Sequence, residues 1–331
     1  MIVDFHNHMI PDNILEKIEK YGRPYGVELG KDQIGRKVIA VNGIITTVVI
    51  DKMRRPETRI PDMDANGVDV QAISFSAWTR VLNHFPPELA TELAVAANEE
   101  MASIVKTSPS RFVGMATVAL HDVDAAVAEV TRAVRDLDLR AVIVMSNFKG
   151  KNLDAQEFWP FYRRIEELGV PLFIHPSNPI GYSAVSEYRL APILGFEFDL
   201  AVAIMRLVFG GVLEEYPNLK VVVAHLAGVL PFLMARVENG YKYLGEKWKI
   251  SKPPMEYLKN VYLDTVSFHV PALMCTYADW NARRLVMGSD YPHVVGDLVR
   301  AVTSIREMAI PEDEKKMILG ENAASILKIG K

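Results

Sequence analysis

Cysteine is almost missing: Cys275 stands alone in 331 residues, so no disulfide can close within the chain and a reducing, cytoplasmic setting is expected. Its neighbours Leu273 and Met274 read as helix core rather than as the surroundings of a nucleophile. Runs of five or more Lys and Arg are absent, and the formal net charge is only −4. That excludes an electrostatic footprint for nucleic acid or an anionic membrane and leaves a small molecule as the partner. Long clean apolar runs are missing too. The windows Leu200–Leu213 and Leu219–Ala235 are interrupted by Arg206 and by Lys220, His225 and Pro231, so neither offers the roughly 20 residues of a membrane span. Asp4 and His6 stand where a signal peptide needs an apolar stretch behind basic residues, and secretion is not expected. Without a Pro/Ser linker, a composition shift or a low-complexity run, residues 1–331 are expected to form one domain.

What is present is rhythm. Half of the residues are apolar and 24% are charged, ordinary values for a chain with an ample core. Apolar strand-like segments start at residues 2, 69, 111, 139, 170, 219, 261 and 284, most of them followed by a segment of helical periodicity such as Pro87–Thr107 or Val123–Leu137. Eight such units predict a (β/α)8 TIM barrel, an α/β fold whose active site lies at the C-terminal ends of the strands. Between the first two strands, Lys37–Val41 and Ile44–Asp51 flank Asn42-Gly43, a strong hairpin signal, so a small β-hairpin insertion over about residues 12–55 is expected.

Polar residues fall where that barrel would use them. His6 and His8 follow the first strand, and residues two apart on an extended strand share a face. His175 ends the fifth strand, His225 the sixth, and Asp290 follows the eighth. Each alone has a plain alternative: a strand-end histidine can be a satisfied polar group, and the aspartate of Gly288-Ser289-Asp290 can cap a turn. Chance placement would not gather four of eight histidines at strand ends. Together they offer three imidazoles, a carboxylate and a spare imidazole, the donors of a catalytic metal site with one position open for water.

His6-Asn7-His8, Phe173-Ile174-His175-Pro176, His225 with Gly228 and Pro231, and Gly288-Ser289-Asp290-Tyr291-Pro292 make the chain resemble the amidohydrolase superfamily. Arg59-Ile60-Pro61-Asp62-Met63-Asp64 and Arg111-Phe112-Val113-Gly114 extend the resemblance along the whole chain. It is closest to the amidohydrolase-2 branch that contains aminocarboxymuconate-semialdehyde decarboxylase. The resemblance implies a mononuclear centre with His6, His8, His175 and Asp290 as ligands. His225 becomes the acid/base, with Asp290 counted beside it in the catalytic step. Met145-Ser146-Asn147 stands where binuclear relatives carry a bridging lysine, and Lys149 lies beyond the strand.

The expected activity is metal-dependent, non-oxidative decarboxylation of an aromatic or dienoic carboxylic acid. The cation would activate water or polarise a substrate oxygen, and His225 would pass the proton. A metal-dependent hydrolase acting on a C–N, C–O or C–C bond is the alternative. One divalent ion is expected, Zn2+ on the imidazole count, with Mn2+ as the alternative. Arg236 lies eleven residues after His225, where decarboxylase relatives carry a carboxylate-binding arginine, in some donated across a subunit interface. A homodimer is therefore expected. Trp78 is a candidate wall of the substrate pocket and Asn178 a candidate to orient a ligand. Ile50 stands where relatives acting on aminocarboxymuconate semialdehyde carry a second arginine, with Arg54 and Arg55 nearby but out of register. This departure argues against that substrate and not against the catalytic centre. His293 reads as a solvent-facing loop residue, and His84, His121 and His269 as structural.

Overall fold

A computed structural model describes residues 1–179 and 181–330. In chain order the strands are β1 (Val3–His8), β2 (Val27–Lys31), β3 (Lys37–Val41), β4 (Ile44–Val48), β5 (Val70–Ser74), β6 (Phe112–Thr117), β7 (Ala141–Met145), β8 (Asn147–Phe148), β9 (Lys151–Asn152), β10 (Leu172–His175), β11 (Val221–Val223), β12 (Tyr262–Asp264) and β13 (Leu285–Val286). Eight of them form one sheet in the order β1-β5-β6-β7-β10-β11-β12-β13, every pair parallel. The sheet closes because Phe5 N donates to Met287 O, Ser289 N and Asp290 N to His6 O, and His8 N to Tyr291 O, at 2.7 to 3.1 Å. This is a (β/α)8 barrel. The strands are buried on both faces, as parallel strands under a layer of helices must be, which is why they read as near-continuous apolar runs.

The insertion is larger than the expected hairpin. β2, β3 and β4 make a three-stranded antiparallel sheet. Gly30 inside Val27–Lys31 and the glycines around it hide β2 in the sequence, since glycine weakens a strand pattern. The segment Ala191–Leu213, periodic enough to suggest one helix, is divided. A π-turn at Ala191–Gly195 leads into the helix Phe196–Phe209, and Gly211, at φ 85°, separates it from Val212–Glu215. Other punctuation is as the residues suggest: Asp122 caps its helix by accepting from Ala125 N at 3.0 Å, and Gly67 ends Ile60–Asn66 in the left-handed conformation. The short helix Ser76–Leu82 directly after β5 has no obvious sequence signal, yet it packs beside the first histidines. No helix among the described residues is long and apolar enough to cross a membrane. Cys275 is exposed and not in a helix core, because it lies on the outer face of Val270–Trp280 while Leu273 and Thr276 turn inward.

Candidate metal centre

β1 carries a register shift between Asp4 and Asn7 against β5, and both of its histidines still turn into the barrel mouth. His6 and His8 present Nε2 atoms 3.0 Å apart with their rings edge to face. Asp290 Oδ1 lies 2.8 Å from His8 Nε2 and 3.5 Å from His6 Nε2. The His175 ring stands 5.2 and 5.0 Å from those of His6 and His8. One donor atom from each of His6, His8, His175 and Asp290 lies within 4.8 Å of all the others, and all four residues are buried.

The groups behind these rings decide where their protons sit. His6 Nδ1 donates to Asp264 Oδ2 at 2.6 Å, and His175 Nδ1 donates to Pro176 O at 2.9 Å. A carboxylate and a carbonyl can only accept, so both rings keep their protons outward and Nε2 becomes the lone-pair nitrogen. His8 Nδ1 meets Ser76 Oγ at 2.7 Å, and a hydroxyl serves either tautomer. Burial, then His293, holds the His8 imidazole well below its usual range, and burial with His8 does the same to His175. Burial also pushes the Asp290 carboxyl up, but the His8 hydrogen bond and the surrounding imidazoles win and hold it well below its usual range. Burial lowers His6 as well, but Asp264, together with Asp290 and Asp4, outweighs it, so this point of the site attracts positive charge. Two neutral imidazoles, an ionised carboxylate and a third imidazole made basic by a carboxylate fit a divalent cation, since metal ligands must be deprotonated and are commonly backed in this way.

Asp264 organises more than His6. Its Oδ1 accepts from His225 N at 2.8 Å and from Val266 N at 3.0 Å. His225, Leu226 and Ala227 all have positive φ, 52° to 56°, a costly conformation that the Asp264 bond and the Gly228 N to His225 O bond hold in place. Gly228 is required by crowding: a Cβ there would lie 1.9 Å from Glu197 O. The bend sets the His225 ring 5.2 Å from that of His6, with Nδ1 3.5 Å from Glu197 Oε1. Burial, opposed by His225, raises the Glu197 carboxyl. His225 and Glu197 line a cavity of about 470 Å³ with Phe198, Phe232, Ser267 and His269.

The other candidates are more scattered. Trp78 is fully buried, packs 6.1 Å from Phe85 and leaves Nε1 without a partner among the described residues. Asn178 exposes its side chain and offers its carbonyl to Asn147 Nδ2. Arg236 is exposed on the helix Leu230–Tyr243; Glu238 is engaged elsewhere, accepting from Met255 N. Ile50 is half-buried, Arg54 pairs with Asp12 and Asp51, and Arg55 is exposed. His293 does not face solvent. Its ring lies 4.6 Å from that of His8, because the loop after Asp290 folds back through His293 N to Asp290 O.

Sequence reasoning missed Asp264, Glu197, Ser76 and Arg59. Arg59 is fully buried, donates to His8 O and Asn7 Oδ1 at 2.9 Å, and stacks over Tyr291. The one available signal was an aspartate at the end of the seventh strand, in Tyr262-Leu263-Asp264, the same placement that singled out Asp290. Glu197 sits inside a helix and carries no such mark.

A family model described as amidohydrolase matches residues 3–329. The 2-amino-3-carboxymuconate-6-semialdehyde decarboxylase of Dictyostelium discoideum is 29% identical over 334 residues, 98% of this chain and 91% of that protein. The gamma-resorcylate decarboxylase of a Polaromonas strain is 27% identical over 290 residues, 83% of this chain and 88% of that protein. Among solved structures, 5-carboxyvanillate decarboxylase from Sphingomonas paucimobilis superimposes with a TM-score of 0.84 at 26% identity, covering 99% of this chain and 98% of its own.

Proposed function

The chain belongs to the amidohydrolase family, and we propose that it is a divalent-cation-dependent, non-oxidative decarboxylase of an aromatic or dienoic carboxylic acid. The observation that carries the reading is the buried set His6, His8, His175 and Asp290, with the His6 and His175 protons held outward. The decarboxylases among its relatives support the choice of reaction. Those four residues would hold the ion. Bound there, a divalent cation supplies a Lewis acid that polarises a substrate oxygen. Zinc is the first choice for three imidazoles, and manganese the alternative because a carboxylate completes the set.

His225 is the acid/base in this proposal. When the bond to the carboxylate breaks, the electron pair stays on carbon, carbon dioxide leaves, and a proton must reach that carbon. His225 is placed for this beside His6, and with Nδ1 turned to Glu197 its Nε2 is the nitrogen left for the substrate. Glu197 steadies the ring and replaces the delivered proton from a carboxyl that burial keeps protonated longer than usual. Asp264 is a positioning residue, since one carboxylate fixes both His6 and the backbone of His225.

A homodimer belongs to the same proposal. Phe232 is 85% exposed one helical turn before Arg236, and Tyr243 and Leu244 are exposed at the end of that helix. Covering this stripe with a second copy would bring the partner's guanidinium toward a pocket that Phe232 itself lines. Light scattering should give twice the chain mass; a monomer would remove this role for Arg236.

The deciding experiment incubates cation-loaded protein with hydroxybenzoic and dienoic acids and follows carbon dioxide release. At least one acid should lose its carboxylate, and His225→Ala should abolish the release. A product that keeps its carboxylate while a C–N, C–O or C–C bond is hydrolysed would establish the rival, hydrolytic reading.

A further inference from the structure

Above β5, β6 and β7 the barrel mouth holds Arg80, His84, His121 and Lys149, and none of them has an acidic partner among the described residues. Arg80 lies one turn beyond Ser76 on the helix Ser76–Leu82, so the two share a face. Ser76 is the residue that touches His8 Nδ1. Arg80 is thereby fixed next to the donor set. Its charge also reaches His293, which burial first and then Arg80 help to hold below the usual range against Asp290, and His293 lies over His8.

The fork of Arg80 is held but not satisfied. Nη2 donates to Thr46 O at 3.0 Å and Thr47 Oγ1 at 3.3 Å, on β4 of the insertion. Nε is buried without a hydrogen-bond partner among the described residues. Desolvation alone pulls this guanidinium down to about 10. Burial first, and then the Lys149 and Arg80 cations, hold the His84 imidazole below its usual range. A buried guanidinium with a free Nε donor is unfavourable by itself and is relieved by an anion, and Lys149, exposed at the rim, adds charge of the same sign.

We propose that this corner binds a second carboxylate of the substrate, with Arg80 as its principal anchor, so that one acid group is lost at the metal centre while another stays gripped at the mouth of β5. This rests on reading the centre as a decarboxylating site. It places the specificity-determining guanidinium on the helix after β5, whereas position 50 of the insertion holds Ile50.

The test measures binding by calorimetry of benzoate and the three benzenedicarboxylates to zinc-loaded protein. At least one dicarboxylate should bind the native protein roughly ten- to a hundredfold more tightly than benzoate, the range of a charge-assisted hydrogen bond. Arg80→Met should bring that ratio close to one with zinc content unchanged, and Arg80→Lys should keep part of it. If Arg80→Met does not fold, Lys149→Met carries the same test, with a smaller loss expected. Equal affinities in the native protein, or a preference that survives in the folded variants, would overturn the proposal. Carbon dioxide release is read separately. An Arg80-dependent preference in a protein that decarboxylates no acid would refute the decarboxylase reading and leave the anion corner standing.

Discussion

On the β12, β13 and β1 side of the barrel mouth, His6, His8, Asp264 and Asp290 each have partners that fix their orientation and charge, whereas on the β5 to β7 side Arg80, His84 and Lys149 carry or accept charge with no carboxylate among the described residues to meet it. Both regions sit at the C-terminal ends of barrel strands, and both desolvate ionisable groups. They differ in what completes them. The first is satisfied by the chain's own partners, and its four converging donors fit a divalent cation; the second is where we propose that negative charge arrives with the substrate. The contrast separates chemistry from choice of substrate: a rigid, internally satisfied set can be kept while the neighbouring corner changes what is admitted.

The largest effect should come from breaking the satisfied side at its donors. Asp290→Asn or His8→Ala should cost the bound ion and about a thousandfold or more in activity, with metal content by elemental analysis as the check. His225→Asn should lower kcat by about 10² to 10⁴ and leave the ion in place, which divides proton delivery from metal binding. Asp264→Asn tests the supporting layer: about ten- to a hundredfold weaker metal affinity is expected, and a value unchanged in competition with a chelator would remove Asp264 from the account. Gly228→Ala should destabilise the fold by about 1–3 kcal/mol in urea unfolding, because its Cβ would lie 1.9 Å from Glu197 O at a φ of 63°.

The smallest effect concerns pH. Burial raises the Glu197 carboxyl, His225 opposing, so the folded protein holds this proton more tightly than the unfolded chain does. Stability from this group is therefore full below the ordinary carboxylate range and is lost as pH rises through the raised value. Glu197→Gln should flatten that decline in unfolding measured across a pH series, and an unchanged slope would show that Glu197 does not titrate there.

Much of the satisfied side was legible in the sequence. Strands buried on both faces spell themselves as apolar runs, and the candidate site residues at strand ends follow those runs directly, as His175 follows Phe173-Ile174 and His225 follows Val221–Ala224. The unsatisfied side was not. Arg80 gains its meaning from a helical turn shared with Ser76 and from Thr46 and Thr47, more than thirty residues earlier in the chain. Glu197 meets His225 only because two left-handed residues follow that histidine and Gly228 lets the helix approach. His293 escapes the sequence for a similar reason: its position suggests a solvent-facing loop, and the return of the loop through Gly296 N to His293 O cannot be read from local composition.

His6, His8, His175 and Asp290 are predicted to hold one cation together. Elemental analysis of the protein after reconstitution with zinc and exhaustive dialysis tests it most directly. One ion per chain in the native protein and essentially none in His6→Ala is the predicted result; no ion in the native protein, or full occupancy in the variant, would contradict it.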